Sequence, residues 1–238
     1  MKNSVTLSNV LVRRRFTTIL EIDHLVIPFR QFTGLIGPNG AGKTTLLKLC
    51  CGSIKPDKGK ISLGSKRIGY IPQQAEYNAH LPFTLREIVA MGRNALKPLA
   101  RRLDKTDYER VDFWISRMGL YDRRRQSFRS LSGGQQQKTL IARAMVSEPD
   151  FVLMDEPGAN LDPAWKGQLR DILNGLFEEN PMSILLVSHE LDWIPESCQR
   201  FILLDSGRIA ADGLPAEVLK ESSIRRIFEN TLLSSERA

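Results

Sequence analysis

One nine-residue stretch constrains this chain more than any other: Gly37, Pro38, Asn39, Gly40, Ala41, Gly42, Lys43, Thr44 and Thr45. It follows the apolar run TGLIG and opens the run KTTLLKLCCG, so it reads as a turn from a strand into a helix. Glycine has no Cβ, so successive backbone N–H groups in such a turn can point inward at an anion. The helix start at Lys43 adds the positive end of a dipole. The order Gly37, Gly42, Lys43, Thr44 fits G-x-x-x-x-G-K-[ST] in its required context. In that motif the lysine reaches the β- and γ-phosphates of a nucleotide and the hydroxyl binds Mg2+. Nothing in the stretch separates ATP from GTP.

The rest of the chain must therefore supply a sheet for this turn. Strand patterns come first: SVTLSNVLV, LEIDHLVIPF and FTGLIG, then a short helix stopped by Gly52, then KPDKGKISLGSKRIGYIPQ as turn, strand, turn, strand. The middle is helical. TLREIVAMGRN begins with Thr84 and has Glu87 three residues on, a capping box, and Thr106 with Glu109 offers a second box in TDYERVDFWISRMG. Ser132 is placed to cap a third helix. Buried strands return as FVLMDEP, SILLVSH and FILLD, with an amphipathic helix opened by Pro163 between the first two. Alternating strands and helices imply an α/β fold, a parallel sheet with helices on its faces and a helical lobe inserted into it. The expected divisions are one domain over 4–236, a nucleotide-binding core lobe over 1–74 and 148–215, a helical subdomain over 75–147, and C-terminal helices over 216–238.

The run FVLMDEP ends a hydrophobic strand in acids. Asp155 at such a strand end can hold Mg2+ directly or through water, and Glu156 can polarise an attacking water. Together with residues 37–45 it makes the second half of a phosphate-hydrolysis site. Other chemistry is poorly represented. Cys50, Cys51 and Cys198 have neither metal-ligand nor disulfide spacing, and three histidines are too scattered for a metal site. No apolar run reaches the roughly 18 residues that span a bilayer, and MKNSVTLSNV has no apolar signal segment. The net charge of +7 suits anionic partners in general, but the arginine clusters at 13–15, 101–102 and 123–125 are short and read as solvated faces. No nucleic-acid partner is expected.

The run LSGGQQQ at 131–137 decides the class, because it resembles the signature of the ATP-binding cassette (ABC) ATPases. The resemblance covers nearly the whole chain, and its order matches: phosphate loop, YIPQQ at 70–74, the signature, FVLMDEP at 151–157, NLD at 160–162 and VSH at 187–189. It implies a P-loop nucleotide-binding fold, a RecA-like core with an antiparallel β subdomain plus an α-helical subdomain. It also implies ATP and Mg2+ as cofactors and a head-to-tail homodimer. In that dimer Leu131, Ser132, Gly133, Gly134 and Gln135 of one copy close over the ATP held by the other. By the same resemblance Gln73 contacts Mg2+ and the attacking water, His189 is the switch histidine touching the γ-phosphate, and Asp162 crosses the dimer interface.

The departures are local. Arg14 stands where an adenine-stacking aromatic is usual, with Phe16 two positions on, and either can stack on a ring. PFRQF replaces the usual P-G-E turn, GANLD replaces the commoner small-residue sequence, and Lys138 stands where arginine is frequent. Without a membrane span the chain must borrow one, so the resemblance implies a separate integral membrane permease docking near the helical subdomain. An extracytoplasmic solute-binding protein acts indirectly, and the chain lies peripherally on the cytoplasmic face of the membrane. The compact segment Gly59–Gln73, followed by AHLPFTLREIVAMGRN, resembles the zinc and manganese import ATPases. The iron–siderophore, haem and cobalamin importer ATPases come next, and a soluble ABC ATPase not coupled to transport is the alternative of another class.

Overall fold

The computed structural model describes residues 4–64, 67–73, 82–96, 102–159, 161–180 and 182–220. Among these the strands form two sheets. β1 (Ser4–Arg14), β2 (Thr17–Pro28) and β4 (Lys58–Leu63) make an antiparallel sheet in the order β2-β1-β4. β3 (Phe32–Ile36), β5 (Ile68–Ile71), β6 (Phe151–Asp155), β7 (Ser183–Ser188), β8 (Arg200–Asp205) and β9 (Arg208–Gly213) make the other, in the order β5-β6-β7-β3-β8-β9. The first five of that order run parallel and β9 pairs antiparallel with β8.

The central strands are apolar on both faces, as strands covered on both sides must be, and their side chains divide with period 2. Phe32 and Ile36 of β3, Val152 and Met154 of β6, and Ile184 and Leu186 of β7 join one buried cluster. Leu35, Phe151, Leu153, Leu185 and Val187 join the other. Each such side chain, fully buried, contributes about 1.5–3 kcal/mol. The second cluster lies against the antiparallel sheet and against α1 (Lys43–Cys50), whose Leu46, Leu47, Leu49 and Cys50 are buried. The first takes in α2 (Leu85–Asn94), α3 (Lys105–Arg117) and α4 (Gly133–Met145), together with Leu169, Leu173 and Leu176 of α5 (Pro163–Glu179).

The helix ends show why these segments begin where they do. The capping box at α2 is present: Thr84 Oγ1 accepts from the Glu87 N–H, and the Glu87 carboxylate accepts from the Thr84 N–H at 2.8 Å. At α3 the expected box is displaced. Asp104 is the cap and Asp107 its partner, each accepting the other's N–H at 3.0 Å, while Thr106 and Glu109 both lie within the helix. Asp107 wins because it is also buried against Arg93, 3.0 Å away, whereas Glu109 is exposed. Asp162 caps α5 and Pro163 takes its first position. β9 was not among the expected strands. Of the expected C-terminal helices, the structure describes the short α6 (Pro215–Val218), and residues 221–238 lie outside the described residues.

Candidate functional site

β3 carries the glycine loop from the middle of its sheet. All five of its residues are buried, so the chain leaves the core at a fixed point. Gly37 has φ +150°, and a Cβ there would stand 2.1 Å from the backbone oxygen of Leu204, so only glycine fits under the neighbouring strand end. Gly42 ends the loop in the left-handed region (φ 100°) as the cap of α1 and offers no side chain to the helix. The N–H groups of the first turn of α1 are therefore left for an external acceptor. A cleft of about 460 Å3 opens over this turn, lined by Ile19, Asn39, Gly40, Gly42, Lys43, Thr44, Thr45, Gln73 and Glu156.

Lys43 is 6% exposed, and its ammonium donates to the Gly37 carbonyl at 2.8 Å and to the Pro38 carbonyl at 2.9 Å. Burial pulls its pKa below the usual lysine value, with Glu156 and then Asp155 drawing it back up. β6 delivers the acids. Asp155, 2% exposed, closes the strand, and the Thr44 hydroxyl donates to its Oδ1 at 3.3 Å. Glu156 follows in the left-handed region (φ 47°), an uncommon conformation for a glutamate and one that often accompanies a functional site. Its carboxylate meets three groups from three other segments. Lys43 Nζ lies 3.9 Å away, His189 Nδ1 lies 3.1 Å away, and the Gln73 amide donates to Oε2 at 3.3 Å. His189 stands directly after β7, the strand between β6 and β3.

The structure thus brings Lys43, Thr44, Asp155, Glu156, Gln73 and His189 to one edge of the parallel sheet, at the carboxyl ends of adjacent strands where open α/β sheets bind ligands. It sets the other expected residues elsewhere. Arg14 and Phe16 lie at the β1–β2 hairpin, with Arg15 at positive φ between them. Phe16 is fully exposed, and neither residue lines the cleft. Leu131 is buried, and Ser132, Gly133, Gly134 and Gln135 form the start of α4. Ser132 and Gln135 exchange side-chain and backbone hydrogen bonds in a capping box, and Ser132 and Gly133 are exposed. No residue of that turn lines the phosphate-loop cleft. The Asp162 side chain accepts from the Trp165 N–H at 3.0 Å, and Asp162 is exposed.

Two features escaped sequence reasoning. Ile19, early in β2, lines the cleft beside the loop glycines. Trp193, 6% exposed, presses its indole on Gly158, where a Cβ would come within 2.8 Å of the ring. The glycine of GANLD is thus a space left for tryptophan.

A glycine loop on a central strand, a buried lysine at its helix start and an acid-ended neighbouring strand define a P-loop nucleotide-binding domain. Residues 21–159, more than half of the chain, match the ABC transporter family model. The chain belongs to the ABC transporter family, as an ATPase that binds nucleotide and whose hydrolysis is coupled to transport. Among its relatives are the zinc uptake system ATP-binding protein ZurA of Listeria monocytogenes, 35% identical over 90% of this chain and 86% of that protein. The manganese transport system ATP-binding protein MntB of Bacillus subtilis is 34% identical over 87% of this chain and 85% of its own length. A solved chain of an ABC transporter in an inward-facing conformation superposes with a TM-score of 0.86 at 25% identity, covering 95% of this chain and 89% of that one. An ATP-binding cassette in its ADP conformation superposes at 0.82 with 21% identity, covering 95% and 98%, which shows the shared fold. Among the described residues no helix is long and apolar enough to cross a membrane.

Proposed function

We propose that this chain energises the import of a zinc or manganese ion through a separate membrane permease, working as a homodimer held peripherally at the cytoplasmic face. The reading is carried by the convergence of six groups from four segments on one sheet edge, four of them lining one cleft, in a chain whose relatives are named for zinc, manganese or metal transport. The metal-chelate branch is the second reading, favoured by the description of the inward-facing structural neighbour as metal-chelate type. The relatives named for zinc or manganese match more of their residues, at 31–35% against 25%. The cargo ion is substrate. A solute-binding protein outside the membrane delivers it, and the ATPase has no group of three or more His, Cys, Asp or Glu among its described residues to hold it.

The cleft fits Mg·ATP on its own chemistry. The uncapped first turn of α1 offers N–H donors to phosphate oxygens. His189 Nδ1 is buried 3.1 Å from the Glu156 carboxylate, which sets the imidazole beside the acid that faces the phosphate loop. The Thr44 hydroxyl and the Asp155 carboxylate, 3.3 Å apart, are the hard oxygen donors that Mg2+ prefers. Bound there, Mg2+ neutralises charge developing on the phosphates. Gly37, Pro38, Asn39, Gly40, Ala41, Gly42 and Thr45 wrap the phosphates, and Lys43 turns from its own loop carbonyls to them. Glu156 is the base that takes a proton from water, Gln73 helps align that water, and His189 follows the γ-phosphate. Phe16, exposed at the hairpin, covers adenine, with Arg14 beside it. Residues 131–135 serve the partner's nucleotide, and Asp162 lies at the interface. The core lobe carries the phosphate loop and the helical subdomain over 75–147 carries the signature turn, so each copy offers both halves of a site.

The experiment is Glu156→Gln with ATP and Mg2+ under size exclusion. Retained ATP binding, lost turnover and a stable dimer are expected, and a hydrolysing or strictly monomeric variant counts against the reading. Mixing Ser132→Arg with Lys43→Ala subunits tests the arrangement in trans. One intact pair of half-sites forms in the mixed dimer, so activity rises above either parent. Uptake of zinc, manganese and iron–chelate into vesicles with and without this chain separates the two cargo readings.

A further inference from the structure

The indole of Trp165 lies flat on the signature turn of its own chain. A Cβ built on Gly134 would stand 2.1, 2.3 and 2.4 Å from three atoms of the Trp165 ring, so the ring touches the glycine backbone with no space between. One turn further along α4, Lys138 Nζ lies 4.8 Å from the centre of the same ring. Residues four apart share one face of a helix, so the indole covers a patch made by Gly134 and Lys138 and is held there by apolar contact and a cation–π interaction. The other end of the contact is firmly placed. Trp165 sits in the first turn of α5, its N–H bonded to the Asp162 cap, and α5 is anchored through buried Leu169, Leu173 and Leu176. The next residue, Lys166, pairs with Glu190, the neighbour of His189.

We infer that Trp165 is a positioning residue for ATP turnover: it sets the first turn of α4, and so the Gly134 backbone, where the opposite subunit's phosphate must meet it. The Gly134 N–H takes no part in the capping box, which uses Ser132 and Gln135. Its direction is set by the turn as a whole, and the indole is what that turn leans on. Lys138 belongs to the same device as the second contact of the ring. The inference rests on the reading that residues 131–135 serve the nucleotide of the partner copy.

The test is Trp165→Ala, with Trp165→Phe as the conservative replacement that keeps a flat ring. In Trp165→Ala, kcat falls by roughly ten- to a hundredfold, the cost of a misplaced contact group. ATP binding by the subunit's own phosphate loop, measured by calorimetry, stays within about twofold, since binding and turnover are separable. Trp165→Phe regains most of the rate. Mixing purified Trp165→Ala and Lys43→Ala subunits then raises turnover above either alone, because the intact loop of the first meets the intact signature of the second. The Ser132→Arg with Lys43→Ala mixture runs beside it. If that control gains activity and the Trp165 mixture does not, Trp165 acts within its own site or only on folding, and the inference is overturned while the dimer reading stands. If neither gains, the dimer reading is lost and the inference with it. Native turnover in Trp165→Ala overturns the inference directly. Should that variant fail to fold, Trp165→Leu, which keeps apolar cover without the flat ring, is read in the same mixtures.

Discussion

Lys43→Met should separate stability from function. The native ammonium is buried and makes two charge-assisted hydrogen bonds to loop carbonyls, which contribute about 1.5–3 kcal/mol each. Against them stands the cost of taking an ammonium out of water, several kcal/mol per ion, offset only in part by Glu156 at 3.9 Å. Methionine fills nearly the same volume without that cost. The nucleotide-free variant should therefore melt within about 3 °C of the native protein, or above it, given that 1 kcal/mol moves a domain of this size by about 2–4 °C. Nucleotide binding should behave in the opposite way. Two lost charge-assisted contacts to phosphate, at about 1.5–3 kcal/mol each, weaken ATP binding by roughly a hundredfold or more. The pH dependence adds a sign. Burial holds the folded pKa of Lys43 below the unfolded value of 10.5, so between the two values the unfolded chain binds the extra proton. The native protein therefore gains stability relative to Lys43→Met as pH rises from the depressed value towards 10.5, and carries the full penalty below it. Thermal melts across that range and calorimetry with ATP read both quantities. A fall of more than about 6 °C in Tm, or a native-to-variant gap that moves the other way with pH, would refute the balance of terms. ATP affinity unchanged within about twofold would remove Lys43 from the phosphate site.

Native protein treated with a maleimide should label Cys51 alone, while the unfolded chain labels all three cysteines. Burial pushes the Cys50 thiol up to about 12 and Cys198 up to about 11, so neither offers thiolate at neutral pH. Mass spectrometry counts the adducts, and fast labelling of Cys50 in folded protein would contradict its placement. Gly37→Ala should lower Tm by roughly 4–10 °C, because its methyl group would meet the Leu204 carbonyl at 2.1 Å from a backbone at φ +150°. A melt within 2 °C or so of native would show that the turn yields at little cost. Phe16→Ala should weaken ATP binding by roughly three- to tenfold, the worth of one aromatic contact, while leaving inorganic triphosphate binding unchanged. The same loss from Arg14→Ala alone would move the adenine contact to the arginine.

Much of the fold was legible because its signals are local. The glycine loop, the capping box at Thr84 and the apolar runs of β3, β6 and β7 each carry their reason within a few residues. The cap of α3 was not legible, since Asp104 with Asp107 and Thr106 with Glu109 have the same spacing. The contact of Asp107 with Arg93, fourteen residues away, selects between them. β9 escaped because RIAADG has weak alternation and pairs at an edge through its backbone. Of the candidate site, the loop and the acids were visible as motifs. The meeting of Gln73 and His189 on one carboxylate follows from strand order, which no short window of sequence contains. The two glycine–tryptophan contacts, Gly134 with Trp165 and Gly158 with Trp193, are invisible for the same reason. A glycine announces that something comes close, without saying what.

The ladder that joins β6, β7 and β3 has a mechanical consequence. Asp155 lies opposite Val187, and Ile36 lies opposite Ser188, so the acid, the histidine-bearing end and the loop-bearing end finish nearly flush. Their lateral separations are multiples of one inter-strand distance, about 4.8 Å, fixed by backbone hydrogen bonds. None of the three can slide past its neighbour without breaking that ladder. This edge behaves as an anvil: whatever tightens or loosens the grip on a triphosphate must swing in from parts not stitched to it.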